Sequence, residues 1–156
     1  MAKQPEAQTD ATKLYRATIT TDKGTIVLDL DPQIAPNTVN NFVGLARQGF
    51  YDGLTFHRVE PGFVIQGGCP EGTGRGGPGY KFNDETVQGQ YRAGSVAMAN
   101  SGANTNGSQF FVCLDDQPSL PKKYNLFGSV VEGMDVVRSV GVGDVMRTVT
   151  IEEHDA

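Results

Sequence analysis

Twenty glycines and eight prolines in 156 residues cut this chain's apolar segments into short runs, and few folds accommodate that. Both residues weaken helix interiors, whereas turns between short strands require them. Several runs between the breakers alternate with a period of two. Lys13 to Thr21 sets Tyr15, Ala17 and Ile19 against Leu14 and Arg16 and reads as a strand. Thr21-Asp22-Lys23-Gly24 is a hairpin turn, and Thr25 to Asp31 is its partner. Thr55 to Val59, Phe63 to Gln66, Ser95 to Ala99, Gln109 to Cys113, Leu126 to Val131 and Met146 to Ile151 read as further strands. Gln109 to Cys113 is apolar on both faces, so both faces should be covered. Helical spacing occurs twice. Pro36 suits a first helical position, Val39, Phe42, Val43 and Ala46 form one stripe, and Gly49 supplies a stop. Met134, Val137 and Arg138 mark a second, shorter helix. No βαβ alternation is present, so the expected architecture is mainly β: a closed antiparallel β-barrel with two α-helices over its ends.

The run from Phe56 to Gly68 carries the chemistry. Pro61-Gly62 joins two strands in a tight turn. Strict alternation puts Phe56, Arg58 and Glu60 on one face and His57 and Val59 on the other. Arg58 and His57 then point apart, which argues against their acting as a donor–base pair. A fixed cation beside Phe63 and Gln66 suits recognition of a polar group in an apolar pocket, without acid–base chemistry.

Length and composition fit one domain with a real core. Residues 13–156 are expected to form it, behind a polar, disordered lead-in at residues 1–12. A net charge of −5 and a pI near 4.9 oppose nucleic-acid binding through a basic surface. No apolar run reaches the roughly 20 residues of a membrane span. Met1 to Thr12 carries no apolar leader segment, so the chain reads as cytoplasmic and its two cysteines, Cys69 and Cys113, as free thiols. A monomer is expected.

Other signals weigh little. Gly72-Thr73-Gly74-Arg75-Gly76-Gly77 fits G-x-G-x-x-G, but Pro78-Gly79 follows instead of a helix, so a surface loop is the better reading. Asn106-Gly107-Ser108 is a glycosylation sequon only by pattern. His57 reads as a satisfied core histidine and His154 as part of an acidic tail; two histidines and no Gly-x-Ser-x-Gly elbow leave no metal site or nucleophilic triad. Glu71 beside Cys69 should raise that thiol's pKa. Asp115-Asp116 and Glu152-Glu153 read as solvated faces.

Two long motifs then carry a family likeness. Phe56-His57-Arg58-Val59-x-Pro61-Gly62-Phe63-x-x-Gln66-Gly67-Gly68 and Met98-Ala99-Asn100-Ser101-Gly102-x-Asn104-Thr105-Asn106-Gly107-Ser108-Gln109-Phe110-Phe111 resemble the signature of the cyclophilins, the peptidyl-prolyl cis–trans isomerases inhibited by cyclosporin. Phe127-Gly128 is similar too, and the likeness covers about residues 13 to 153. It implies an eight-stranded antiparallel barrel with a packed interior, a groove on the outer sheet face, activity in protein folding and no cofactor. It implies Arg58 as the main catalytic residue, with Phe63 and Gln66 beside it. Phe111 and Leu120 would complete the pocket for a substrate proline ring. Val64, Ala99, Asn100, Gln109 and Tyr124 would hold or border the peptide. Tyr124 stands where many members have His, and Val64 where many have Met. Ser119 stands where drug-sensitive members carry Trp, so cyclosporin binding should be weak.

The residues agree with such a reaction. Turning an X–Pro bond faces a barrier of about 18–20 kcal/mol, and spontaneous exchange takes tens to hundreds of seconds. Reaching on the order of 1,000 turnovers per second requires removing about 5–7 kcal/mol. No bond breaks, so no nucleophile or metal is needed. The competing reading is a binding module that grips proline segments without turning them. Its marker would be loss of Arg58 or Phe63, and both are present.

Overall fold

The computed structural model describes residues 4–155. Eight strands follow in chain order: β1 (Lys13–Thr21), β2 (Gly24–Leu30), β3 (Phe56–Glu60), β4 (Val64–Gly67), β5 (Ser95–Met98), β6 (Phe110–Cys113), β7 (Leu126–Glu132) and β8 (Thr148–Asp155). Helix α1 (Pro36–Arg47) lies between β2 and β3, and α2 (Met134–Ser139) between β7 and β8. All pairings are antiparallel, in the order β3-β4-β6-β5-β7-β2-β1-β8. The mainly β class and both helices are as expected. Closure is looser than expected, because the edge strands β3 and β8 do not pair with each other. A short seam joins residues 53–56 to 143–146, with Gly53 N–H donating to Met146 O at 2.7 Å and Phe56 N–H to Asp144 O at 2.9 Å. The acidic residues near the C-terminus lie within β8, where Leu14 pairs His154, so they form a strand and not a tail.

Alternation on β1 and β2 buries Tyr15, Ala17 and Ile19 against Ile26, Leu28 and Leu30. The α1 stripe of Val39, Phe42, Val43 and Ala46 joins the same core. Rings lock its centre: Phe42 meets Phe110 edge-on at 5.4 Å and stacks on Tyr51 at 4.9 Å. Pro36 opens α1, and Gly49, at φ 75°, follows its end. Its N-terminal cap is not local. Glu85, distant in sequence, accepts from the N–H groups of Asn37 and Thr38 at 3.1 and 2.7 Å, supplying the acceptors and negative charge that a helix start favours.

Residues 4–12 form neither helix nor strand, and they lie along α1. Asn40 Oδ1 accepts from Gln8 N–H at 2.7 Å, and Asn40 Nδ2 donates to Glu6 O at 3.1 Å. Pro5 occupies the notch at Gly44, where a Cβ would fall 2.2 Å from Pro5 Cβ. Residues 1–3 of the expected lead-in lie outside the described residues.

A second apolar cluster sits on the outer sheet face. Val64, Tyr91, Ala97, Phe111, Cys113 and Leu126 form it, with Phe63, Ala99, Leu120 and Tyr124 packed against it. Sheet position thus assigns neighbours in β6 to opposite sides, Phe110 inward and Phe111 outward.

Candidate active site

Strand register builds the site. Arg58 lies opposite Gln66, Gln66 opposite Phe111, Phe111 opposite Ala97 and Ala97 opposite Leu126. One row of side chains therefore crosses β3, β4, β6, β5 and β7. The row depends on a bulge at His57, where the β3–β4 register shifts between Phe56 and Arg58. A bulge inserts one unpaired residue and re-aims those around it. Strict alternation is thereby overturned: Phe56 faces the barrel core, where Val59 packs, and not the side of Arg58.

His57 is therefore not the satisfied core histidine expected. Its Nδ1 is buried without a partner, and its Nε2 faces Gly74 in the Gly-rich loop. Burial, then the charge of Arg58, holds its pKa below the usual histidine value, which favours the neutral imidazole.

Arg58, Phe63, Val64, Gln66, Ala99, Asn100, Phe111, Leu120 and Tyr124 surround one cavity of about 140 Å³. Arg58 Cζ stands 5.7 Å from the Phe63 ring centre, and its Nη1 donates to Gln66 Oε1 at 3.3 Å. Glu60 lies 3.5 Å from Arg58 Nε, but both side chains are about half exposed, so the pair holds the cation weakly. Gln109 does not line the cavity. It accepts from Gln66 Nε2 at 3.1 Å, and its own Nε2 donates to Gly74 O and Gly76 O at 2.8 and 2.9 Å. Arg58, Gln66, Gln109 and the Gly-rich loop are thus linked in series. Tyr124 meets Phe111 edge-on at 5.5 Å. Phe63 is fixed by its carbonyl, which accepts from Leu114 N–H at 2.8 Å.

The two signature motifs are held together by a close backbone approach. Ser108 Oγ donates to Gly68 O at 2.7 Å. Gly68 has φ 92°, and a Cβ there would fall 2.6 Å from Ser108 O; only glycine fits.

The lining holds a single charged side chain, Arg58, with amides on one side and an apolar wall on the other. That suits a neutral ligand carrying an acceptor and a ring. A larger recess of about 370 Å³ lies at the start of α1, lined by Asn37, Asn40, Asn41, Lys81, Phe82, Asn83, Gln4 and Pro5. It is mostly polar and lacks such a wall. Among the described residues no cluster of three or more His, Cys, Asp or Glu is placed to hold a metal.

The expectation for Cys69 is corrected. Burial alone would push its thiol up, but hydrogen bonds from the backbone N–H groups of Gly76, Glu71, Gly74 and Thr73 outweigh it, and the net shift is downward. Cys113 lies two residues along β6 from Phe111, on the same face and in the same outer cluster, and burial pushes it up to about 11. Sequence reasoning missed Gln117, whose Nε2 donates to Gly62 O at 2.9 Å, and Tyr91, which supports the Leu120–Tyr124 side. No local pattern around either residue signals these long-range contacts.

Residues 16–155 match the family described as Cyclophilin type peptidyl-prolyl cis-trans isomerase/CLD. A peptidyl-prolyl cis-trans isomerase of Synechococcus elongatus is 52% identical over 140 residues, covering 88% of this chain and 97% of that protein. Peptidyl-prolyl cis-trans isomerase B of Bacillus subtilis is 50% identical over 133 residues, covering 84% and 93%. The crystal structure of a Cryptosporidium parvum cyclophilin type isomerase superposes with a TM-score of 0.82 at 32% identity, over 89% of this chain and 98% of that one. The same parasite protein has been crystallised in the presence of the dipeptide Ala-Pro, again with a TM-score of 0.82. Fold, motifs and relatives agree: the chain belongs to the cyclophilin-type peptidyl-prolyl cis-trans isomerase family.

Proposed function

We propose that the protein accelerates rotation about X–Pro bonds in peptides and protein chains, with Arg58 as the donor. The observation that carries this reading is the placement of Arg58 across from Gln66 and against Phe63, at the rim of a cavity walled by Phe111 and Leu120. The proline ring sits against the apolar wall. Gln66 and Asn100 hold the flanking backbone. As the C–N bond turns, the prolyl nitrogen loses conjugation and becomes an acceptor. The Arg58 guanidinium donates to it from a fixed position, and so stabilises the twisted state more than either planar one. Water exclusion by Phe63, Phe111, Leu120 and Tyr124 strengthens that bond. A protease-coupled isomerisation assay on a prolyl tetrapeptide tests the reading; an uncatalysed rate in the presence of micromolar protein would overturn it.

The mechanism fixes the pH dependence. A guanidinium stays protonated through the working range, and burial and the neighbouring Arg58 charge shift His57 toward its neutral form. For a neutral prolyl peptide kcat/KM should therefore stay within about twofold from about pH 6.5 to 8.5, without the bell shape of acid–base catalysis. An inflection in that window, absent from His57→Gln, would give His57 a part in the reaction. Chelators should have no effect.

Ser119 is exposed beside Leu120 at the groove's edge and offers neither an indole donor nor its contact area. Cyclosporin should accordingly bind weakly. Ser119→Trp should tighten it by about tenfold or more, the scale of an aromatic hot spot. Titration by calorimetry checks this, and low-nanomolar binding by the wild type would contradict it.

A further inference from the structure

Tyr91 is not among the residues lining the cavity, yet one side of the groove is built on it. It lies outside every strand and helix and is only 2% exposed. Its ring packs in the outer-face cluster with Phe111 and Leu126. Its carbonyl accepts from Gln117 N–H at 2.8 Å. Its hydroxyl accepts from Tyr124 N–H at 3.1 Å and donates to Tyr124 O at 2.5 Å. One residue thus grips segment 117–124 at both ends. Lys122, from the middle of the segment, sets its ammonium 5.4 Å from the Tyr91 ring centre and donates to Gly89 O.

This segment supplies Leu120 and Tyr124 to the groove and has no sheet partner of its own. Ordering such a loop costs conformational entropy, so the contacts holding it decide where its side chains stand. The Tyr91 hydroxyl satisfies both backbone groups of Tyr124 at once, which fixes the peptide on either side of that residue. Tyr124 can then meet Phe111 at an interplanar angle of 83°. Asn100 Nδ2, donating to Lys123 O at 2.8 Å, ties the same segment at the rim. Burial raises the Tyr91 phenol to about 12, so its O–H donor persists across the working range.

We infer that Tyr91 is a positioning residue: its hydroxyl holds the 117–124 wall at the height that sizes the proline pocket, without touching substrate. This rests on the isomerase reading of the groove. Tyr91→Phe keeps the ring and removes only the hydroxyl. It should raise KM for a prolyl tetrapeptide about fivefold, the scale of one net hydrogen bond, with kcat within about twofold. It should also speed amide exchange at Tyr124.

Tyr15→Phe is the matched control. Tyr15 is equally buried, on β1, and its hydroxyl also makes two bonds, donating to Glu153 Oε1 and accepting from Asp10 N–H, both at 2.7 Å. It should lower Tm and leave KM unmoved. An unchanged KM in Tyr91→Phe, or an equal rise in Tyr15→Phe, overturns the inference. The wild type gives a check that needs no variant: Tyr124 N–H exchanging as fast as a free loop amide also overturns it. A wild type that turns over no peptide would sink the isomerase reading and this inference together. An active wild type beside a Tyr91→Phe variant of unchanged KM sinks this inference alone.

Discussion

Arg58→Ala should lower kcat/KM for a prolyl peptide by about 100- to 1,000-fold, the loss that follows removal of one preorganised donor. Most of it should fall on kcat, because in the proposed reaction the donor acts on the twisted state and not on the planar substrate. The fold should survive. The Arg58 side chain is 45% exposed, and its ion pair with Glu60 is long and solvated, so Tm should change by only a few degrees. Arg58→Lys sharpens the test. It keeps the charge but loses the planar fork that reaches Gln66 and, in the proposed reaction, the prolyl nitrogen, so it should recover only a minor part of the activity. If Arg58→Ala retained more than half of the wild-type kcat/KM while folded, another group would have to be the donor. If Arg58→Lys were fully active, charge alone would suffice and the geometric argument would fail.

How far the sequence reached depends on the range of the forces involved. The alternation in β1 and β2 and the stripe on α1 are local, and Tyr15, Ala17, Ile19, Val39 and Phe42 are buried as their spacing predicts. The faces of β3 depart from strict alternation for an equally physical reason. Alternation presumes one residue opposite one residue, and the bulge at His57 breaks that rule without any signature in the residue types around it. Arg58 stands out through its motif, and its outward direction depends on a partner strand that alternation does not see. Glu85 under α1, Gln117 beneath the β3–β4 turn and Tyr91 beneath the groove all act through hydrogen bonds to residues distant in the chain. Nothing in their own neighbourhoods marks them. The seam between residues 53–56 and 143–146 is of the same kind: it rests on contacts between distant residues, so the sequence pattern points to full strand-to-strand closure where the structure has a short backbone seam.

Phe110 and Phe111 turn this division between inside and outside into a stability experiment. They are neighbours of one residue type, both buried, at 0% and 5% exposure, and the pleat sends them to opposite sides of β6. Phe110 meets Phe42, Tyr51 and Phe56 edge-on, with ring centres 5.4, 5.6 and 6.4 Å away. Phe110→Ala would leave a cavity enclosed by α1 and the sheet, which cannot collapse without moving both. The expected cost is about 3–5 kcal/mol, a large share of the roughly 5–15 kcal/mol that holds a domain of this kind folded. By denaturant melts the midpoint should fall sharply, while the fraction still folded keeps its KM. Phe111→Ala opens toward the groove instead, where solvent can fill the gap. Its stability cost should be smaller, and its KM for a prolyl peptide should rise about tenfold or more, since in the proposed binding mode the proline ring loses its wall and meets water. The two variants must therefore separate: one loses stability with its affinity intact, the other loses affinity with most of its stability intact. If Phe110→Ala raised KM as much as Phe111→Ala, or if Phe111→Ala proved the more destabilising, the groove would not lie on the outer face of β6.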